Sequence, residues 1–271
     1  MCGVGGILHF GRTDPVTVDV LTRMNESMIH RGPDGEGTYI SVNRRVGLCH
    51  RRLSIIDLSD SAAQPMSNND GSVWVSYNGE IYNHEKLRIQ LEESGRYFRS
   101  DHSDTEVLVQ GYDTWGINKL LEKLEGMFAF ALWDDKNAKL IIARDRIGIK
   151  PLYFTKRAGA LVFASEIKAI LAHPSVSPNL GEAALYHYLT YLTAPAPLTL
   201  FDGIYKLPAA HYLEIDLSGS LVSSRYWAPE PGSGFDFDRF QTLNGDDRAS
   251  FYQQSILERL EASVQKQMMS D

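Results

Sequence analysis

The chain opens Met1-Cys2-Gly3 and runs at once into Val4–Phe10, a stretch apolar enough for a buried strand. This ties whatever the terminus carries to a strand of the core. Removal of Met1 would leave Cys2 as the first residue, with a thiol and a free α-amine on one residue. The thiol is a nucleophile and the amine a base, so a single residue can supply both halves of a covalent hydrolase. An α-amine has an unperturbed pKa near ~8 and is partly neutral at cellular pH, whereas a lysine, near ~10.4, needs strong tuning for the same work. Cysteine is also small enough at position 2 for an aminopeptidase to remove the methionine. Position 2 must hold some residue, however, and Met-Cys-Gly alone is a weak signal.

A chain of 271 residues can hold one large domain, or one domain and part of another. Hydrophobic content of 43% and charged content of 23% are those of a globular protein. The net charge of −7, with no dense Lys/Arg block, argues against a nucleic-acid or anionic-membrane binder. There is no apolar run long enough to span a membrane and no basic leader, and the two cysteines, Cys2 and Cys49, form no disulfide framework. A reducing cytoplasm is the expected compartment. No CxxC, HExxH or EF-hand spacing suggests a metal site, and the 8 histidines are scattered.

Local pattern predicts alternating strands and helices. Val18–Ile29 carries Leu21, Met24 and Met28 at helical spacing, and His30–Gly37 reads as a turn-rich loop. Val46–Asp57 reads as a strand, and Val73, Val75 and Tyr77 alternate in another that ends at Asn78-Gly79. Asn83 is placed to cap a helix bearing Leu87 and Leu91, and Ser103–Glu106 matches a capping box ahead of Leu108, Tyr112 and Trp115. A short helix follows with Leu120, Leu121 and Leu124. Three hairpins are expected: Met127–Trp133 with Lys139–Arg144, Pro151–Phe154 with Leu161–Ala164, and His211–Asp216 with Leu221–Tyr226. Leu185–Leu192 reads as a helix. Composition shifts after Trp227: Ala228–Asp247 is rich in Pro and Gly and reads as a linker, followed by an amphipathic helix at Phe251–Met268 with Leu257, Leu260, Val264 and Met268 on one face. That helix either begins a second, interrupted domain or folds back on the first.

Hydrolysis of a carboxamide by a terminal thiol needs donors for the oxyanion, a cation for a substrate carboxylate, an anion for a substrate ammonium, and a lid. Asn78-Gly79 offers a side-chain amide and an unobstructed backbone N–H, a contact worth about 3–4 kcal/mol per donor, although Asn-Gly is also the commonest hairpin turn. Arg51-Arg52 can clamp a carboxylate with two parallel hydrogen bonds, or form a surface ion pair. Asp104 can receive an α-ammonium or simply favour a helix N-terminus. His30–Gly35 can close over a substrate or be an ordinary Gly-Pro turn.

Met1-Cys2-Gly3, His30–Asp34, Arg52–Asp57, Asn78–His84, Ser103–Glu106, Gly126–Phe130 and Arg144–Tyr153 together resemble the glutaminase domain of class II glutamine amidotransferases, in particular that of glutamine-dependent asparagine synthetase. The resemblance runs through roughly the first 170 residues in the family's order, with Phe201–Tyr212 and Arg225–Trp227 beyond. It implies an α+β fold, a four-layer αββα sandwich of two mainly antiparallel sheets, the N-terminal-nucleophile hydrolase fold. It implies Cys2 as nucleophile and base, Asn78 and the Gly79 N–H as the oxyanion hole, Arg52 on the α-carboxylate of L-glutamine, and Glu80 with Asp104 on its α-ammonium. Backbone groups around Leu53 and Ile55 would line the pocket. Cys49 is read as a small buried apolar residue.

The family's synthetase half binds ATP and Mg²⁺ through a Ser-Gly-Gly-x-Asp-Ser loop that is not found here, so residues 1–227 are expected to be the glutaminase domain and 228–271 a linker and the first helix of a truncated synthetase domain. No cofactor is expected for the glutaminase itself. The expected partners are glutamine and the synthetase domain, with no nucleic acid or membrane, and the reading leaves room for a homodimer. Rival readings are the glucosamine-phosphate or phosphoribosyl type of amidotransferase, a relative with a sugar or peptide acceptor, and a non-catalytic module that retains the fold.

Overall fold

The computed structural model describes residues 1–11, 14–54, 62–230, 232 and 235–268. They fall into two compact units, Met1–Trp227 and Ala228–Asp271. In the first unit the strands are β1 (Gly3–His9), β2 (Gly35–Ile40), β3 (Val46–Arg52), β4 (Met66–Ser67), β5 (Val73–Ile81), β6 (Gly126–Asp134), β7 (Lys139–Arg144), β8 (Tyr153–Arg157), β9 (Ala160–Ala164), β10 (Tyr205–Lys206), β11 (His211–Asp216) and β12 (Leu221–Arg225). The helices are α1 (Val18–Glu26), α2 (His84–Glu93), α3 (Asp104–Lys123), α4 (Ile167–Leu171) and α5 (Glu182–Tyr191).

The strands form two six-stranded sheets, β10-β8-β9-β1-β3-β2 and β12-β11-β7-β6-β5-β4, and their pairings are antiparallel. Side-chain alternation sorts the core into three layers. Val4 and Leu8 of β1, Leu48 of β3, Ala129, Ala131 and Trp133 of β6, and Leu140 and Ile142 of β7 meet between the sheets. Ile7, Cys49, Val162 and Ala164 face the other way in the first sheet and pack with Leu21, Met24 and Met28 of α1 and Ala169 and Ile170 of α4. Val75, Tyr77, Phe128, Phe130, Leu132 and Ile141 face out from the second sheet onto Leu87 and Leu91 of α2 and Leu108 and Leu120 of α3. Helix, sheet, sheet, helix is the expected αββα order. Fully buried Ile7, Leu8, Phe128 and Phe130 each contribute about 1.5–3 kcal/mol over exposure.

Several local expectations change. The strand carrying Asn78-Gly79 does not end there but runs on to Ile81, and Gly79 pairs with Phe128 of β6, so the dipeptide is strand interior and not a hairpin turn. Gly35–Ile40, whose first three residues fall in the expected His30–Gly37 loop, is edge strand β2 paired to β3. The capping box at Ser103 does not form. Ser103 makes no side-chain capping bond, and the Glu106 carboxylate instead accepts from Arg99 N–H, Ser100 N–H and Ser100 Oγ at 2.8, 2.8 and 2.5 Å. Asn83 likewise makes no capping bond and ties Lys123 O and Glu125 N at 2.9 and 3.0 Å. The two helices expected between Ser103 and Leu124 are one run broken at Gly116, whose φ of 73° leaves the helical region.

In the second unit the expected linker contains α6 (Phe237–Thr242), and the terminal helix α7 (Gly245–Lys266) starts earlier than the apolar stripe suggests, capped by Asn244 Oδ1 accepting from Asp247 N at 3.3 Å. Phe235, Phe237, Phe240, Phe251 and Tyr252 form its own aromatic cluster. Leu257, Leu260, Val264 and Met268 of the stripe are exposed.

Candidate active site

The same alternation that builds the inter-sheet core carries the candidate side chains to one end of it. β1 turns Val4 and Leu8 inward, so Cys2 belongs to that face. β3 turns Val46 and Leu48 inward, and therefore His50 and Arg52. β5 turns Tyr77 out to the helices, and therefore Ser76, Asn78 and Glu80 in. Two bonds stitch the sheets just behind this end: Ser76 Oγ donates to Cys49 O at 2.9 Å, and His50 Nε2 lies 2.9 Å from Tyr77 O. Burial pushes His50 down to about 4, so it is neutral there and able to donate. The pocket beyond them is lined by Cys2, Arg52, Leu53, Asn78, Gly79, Glu80 and Asp104, which are the expected site residues except Ile55, which lies outside the described residues.

Cys2 is half-buried, and its Sγ lies 3.4 Å from the Leu53 N–H and 3.6 Å from the Leu53 carbonyl. Burial pushes the thiol up, opposed by the Leu53 N–H and by the positive terminus. Burial pulls the terminal amine, here on Met1, down. The Cys2 carbonyl accepts from Arg31 Nε at 3.0 Å, and Arg31 NH1 pairs with Glu166 at 3.0 Å. Partial burial pushes Glu166 up, but bonds from Arg31, His30 and Lys168 outweigh it and hold the carboxyl below its usual range. On the same segment Asp34 Oδ2 accepts from Ser54 N at 2.9 Å, and a Cβ on Gly32 would lie 2.4 Å from the Arg51 carbonyl carbon. The His30–Gly35 loop is packed against β3 and bonded to the terminus through Arg31.

Asn78 is 1% exposed, and its Nδ2 has no hydrogen-bond partner among the described residues. An unmet buried donor costs about 1–3 kcal/mol. Gly79 stands next to it. The outer edge of β5 is open past Val75 because β4 pairs only with Trp74 and Val75. On that edge the Tyr77 N–H donates to Gln64 Oε1 at 2.7 Å and the Ile81 N–H to Asp104 Oδ2 at 3.1 Å. Strand alternation turns the Gly79 N–H the same way, between them and into the pocket. Only glycine fits: a Cβ would lie 2.3 Å from Met127 O and 2.7 Å from the Tyr77 ring.

Asp104, the first residue of α3, is 5% exposed and also accepts from Tyr77 OH at 2.7 Å. Burial pushes its carboxyl up, against the pull of those two bonds. Burial likewise pushes up Glu80. Sequence reasoning missed Tyr77, Gln64, Thr105 and Lys150, which also line the pocket. Gln64 bridges Tyr77 N and Thr105 Oγ1, the latter at 3.1 Å. Strand parity could have found Tyr77, but no local signal marks Gln64.

A family model for the glutamine amidotransferase domain matches residues 1–227. The chain belongs to this family. Asparagine synthetase [glutamine-hydrolyzing] 2 of Bacillus subtilis is 37% identical over 243 residues, covering 84% of this chain and 31% of that protein. Amidase chry2 of Gibberella zeae is 34% identical over 280 residues, covering all of this chain and 40% of that protein. The chain thus spans well under half the length of these curated relatives. Among solved structures, glutamine phosphoribosylpyrophosphate amidotransferase from B. subtilis, complexed with ADP and GMP, matches with a TM-score of 0.61 at 22% identity, over 84% of this chain and 50% of that one. That likeness establishes the N-terminal-nucleophile hydrolase fold. The chain is thus a glutamine amidotransferase domain, similar in sequence to glutamine-hydrolysing asparagine synthetases. Among the described residues no group of His, Cys, Asp and Glu could hold a metal ion, and no helix is long and apolar enough to cross a membrane.

Proposed function

We propose that Cys2, freed of Met1, hydrolyses L-glutamine through a γ-glutamyl thioester. The observation that carries this reading is the unmet Asn78 Nδ2 beside the Gly79 N–H in the pocket of Cys2. The α-amine takes the thiol proton, and the sulfur attacks the carboxamide carbon. The oxyanion that develops lies between the Asn78 and Gly79 donors. Collapse breaks the C–N bond as the amine returns its proton to the leaving nitrogen, which departs as ammonia. Water, deprotonated by the same amine, then opens the thioester to release glutamate and the thiol. Arg52 holds the substrate carboxylate bidentately, and Glu80 and Asp104 hold its ammonium. The Arg31 bond to the Cys2 carbonyl keeps the nucleophile in place.

In the whole protein, the ammonia passes to a synthetase domain that uses ATP and Mg²⁺ to activate an aspartate carboxylate, and residues 228–271 lead into that domain. The second relative, named an amidase, makes a different acceptor the alternative. The two free cysteines suit a cytoplasmic enzyme. The test is glutamine turnover with intact mass. Active protein lacks Met1, and Cys2→Ala abolishes turnover while glutamine still binds. Full activity from protein retaining Met1 would exclude the amine as base.

A further inference from the structure

Lys150 is the charged group of the pocket that this chemistry leaves unused. Its backbone is fixed in the segment after β7, where its N–H donates to Asp145 Oδ2 at 2.9 Å and its carbonyl accepts from Arg144 Nε at 2.7 Å. The residue is 4% exposed and lines the pocket with Cys2 and Glu80. Among the described residues its ammonium makes no hydrogen bond or ion pair. Lysines this little exposed are ordinarily paired, and one that opens on a pocket with no partner among the described residues points to function. The contrast with Arg31 is direct: that cation is compensated by Glu166 and bonded to the Cys2 carbonyl.

We infer that Lys150 is a positioning cation for Cys2, whose charge favours the thiolate over the thiol and the free amine over the ammonium on that residue. The inference rests on Cys2 being the reactive group. The chemistry needs both shifts at once, because a protonated amine is no base and a thiol is a poor nucleophile. A single positive charge in a pocket poorly screened by water supplies both. Burial acts against the thiol, and Lys150 is among the groups that pull it back down; it acts in the same direction on the amine of Met1, whose place the Cys2 amine takes once Met1 is removed. Its own ammonium is pulled down by burial and supported by Glu80, Cys2 and Asp145, with Arg31 opposing. Asp104 faces Cys2 with the opposite effect, Asp34 and Arg31 face the terminus, and Arg52 lines the pocket. When the substrate ammonium neutralises Glu80 and Asp104 and its carboxylate neutralises Arg52, with Arg31 already paired to Glu166, Lys150 is the cation left facing Cys2.

The test is the pH dependence of Cys2 alkylation by iodoacetamide in the full chain with Met1 removed. Cys49 is buried, with its thiol pushed up to about 12, so the rate reports Cys2. Lys150→Met should move the acidic limb up by about one pH unit, a roughly tenfold slower reaction on that limb. Lys150→Arg should leave it in place. A packing role alone would not move the limb. Lys150→Gln is a second neutral variant if the methionine fails to fold. An unmoved limb in the neutral variants, or a Lys150→Arg limb displaced like theirs, overturns the inference. Alkylation needs no glutamine. A limb that moves in protein with no glutaminase activity supports the inference while the proposed function fails. An unmoved limb in protein whose turnover needs Cys2 fails the inference alone.

Discussion

The Tyr77 hydroxyl donates to the Asp104 carboxylate over 2.7 Å, joining β5 to the first turn of α3 at the edge of the pocket. The Ile81 N–H reaches the same oxygen at 3.1 Å, so an asparagine at 104 can keep both bonds through one carbonyl oxygen. What it loses is the charge. Burial holds the folded-state pKa of Asp104 above its unfolded value. The group is therefore protonated in both states at low pH, and stability falls as pH rises through the folded value and a buried carboxyl must ionise. Asp104→Asn should then melt higher than wild type at neutral pH, with no gain below the ordinary carboxylate pKa. Its KM for glutamine should rise roughly ten- to hundredfold. Thermal melts from pH 3 to 8 and steady-state kinetics check both halves.

Asn78→Ala removes a buried donor that has no partner to lose among the described residues. Its melting temperature should stay near that of wild type. If the amide serves the oxyanion, kcat should fall about 10²–10³-fold with KM little changed. A lower melting temperature with intact kcat would make the residue structural.

Gly79→Ala places a Cβ against Met127 O at 2.3 Å, a backbone atom that cannot swing aside. Strands β5 and β6 must part locally, at a cost of about 1–3 kcal/mol. Differential scanning calorimetry should show a fall in Tm of about 2–4 °C for each kcal/mol in a unit of this size. An unchanged Tm would contradict the strand register.

Deleting residues 228–271 should leave glutaminase activity intact, because Met1–Trp227 has its own three-layer core. It should also reduce self-association, since the deletion removes the exposed Leu257, Leu260 and Val264 of α7. Light scattering and turnover of the two lengths decide. Loss of the fold on deletion would show that the terminal helix belongs to the first unit.

Much of the architecture was legible in short windows. Continuous apolar runs at Met127–Trp133 and Lys139–Arg144 mark β6 and β7, and the spacing of Leu21, Met24 and Met28 marks α1. Such signals are local, because the apolar positions of a strand or helix follow from which of its own faces are buried. Where the local signal misleads, a distant partner is the reason. Gly35–Ile40 is rich in turn residues and becomes a strand because β3 offers it an edge. Asn78-Gly79 has the composition of a turn and stays in β5 because Phe128 lies opposite and Met127 O fills the space a side chain would need. Ser103 and Glu106 have the spacing of a cap, but the Glu106 carboxylate goes to Ser100 and Arg99.

The sequence by itself determined the strands around β1, β3 and β5, the family resemblance, and the candidacy of Cys2, Arg52, Asn78 and Asp104. Only the tertiary structure decided that these residues share one pocket, that Arg31 grips the Cys2 carbonyl, and that Lys150 enters the same pocket. The physical reason is range. Periodicity follows from backbone geometry over a few residues, whereas the meeting of Cys2, Asn78 and Lys150 depends on how two sheets stack and where the segment after β7 turns back, which no local window of the chain encodes.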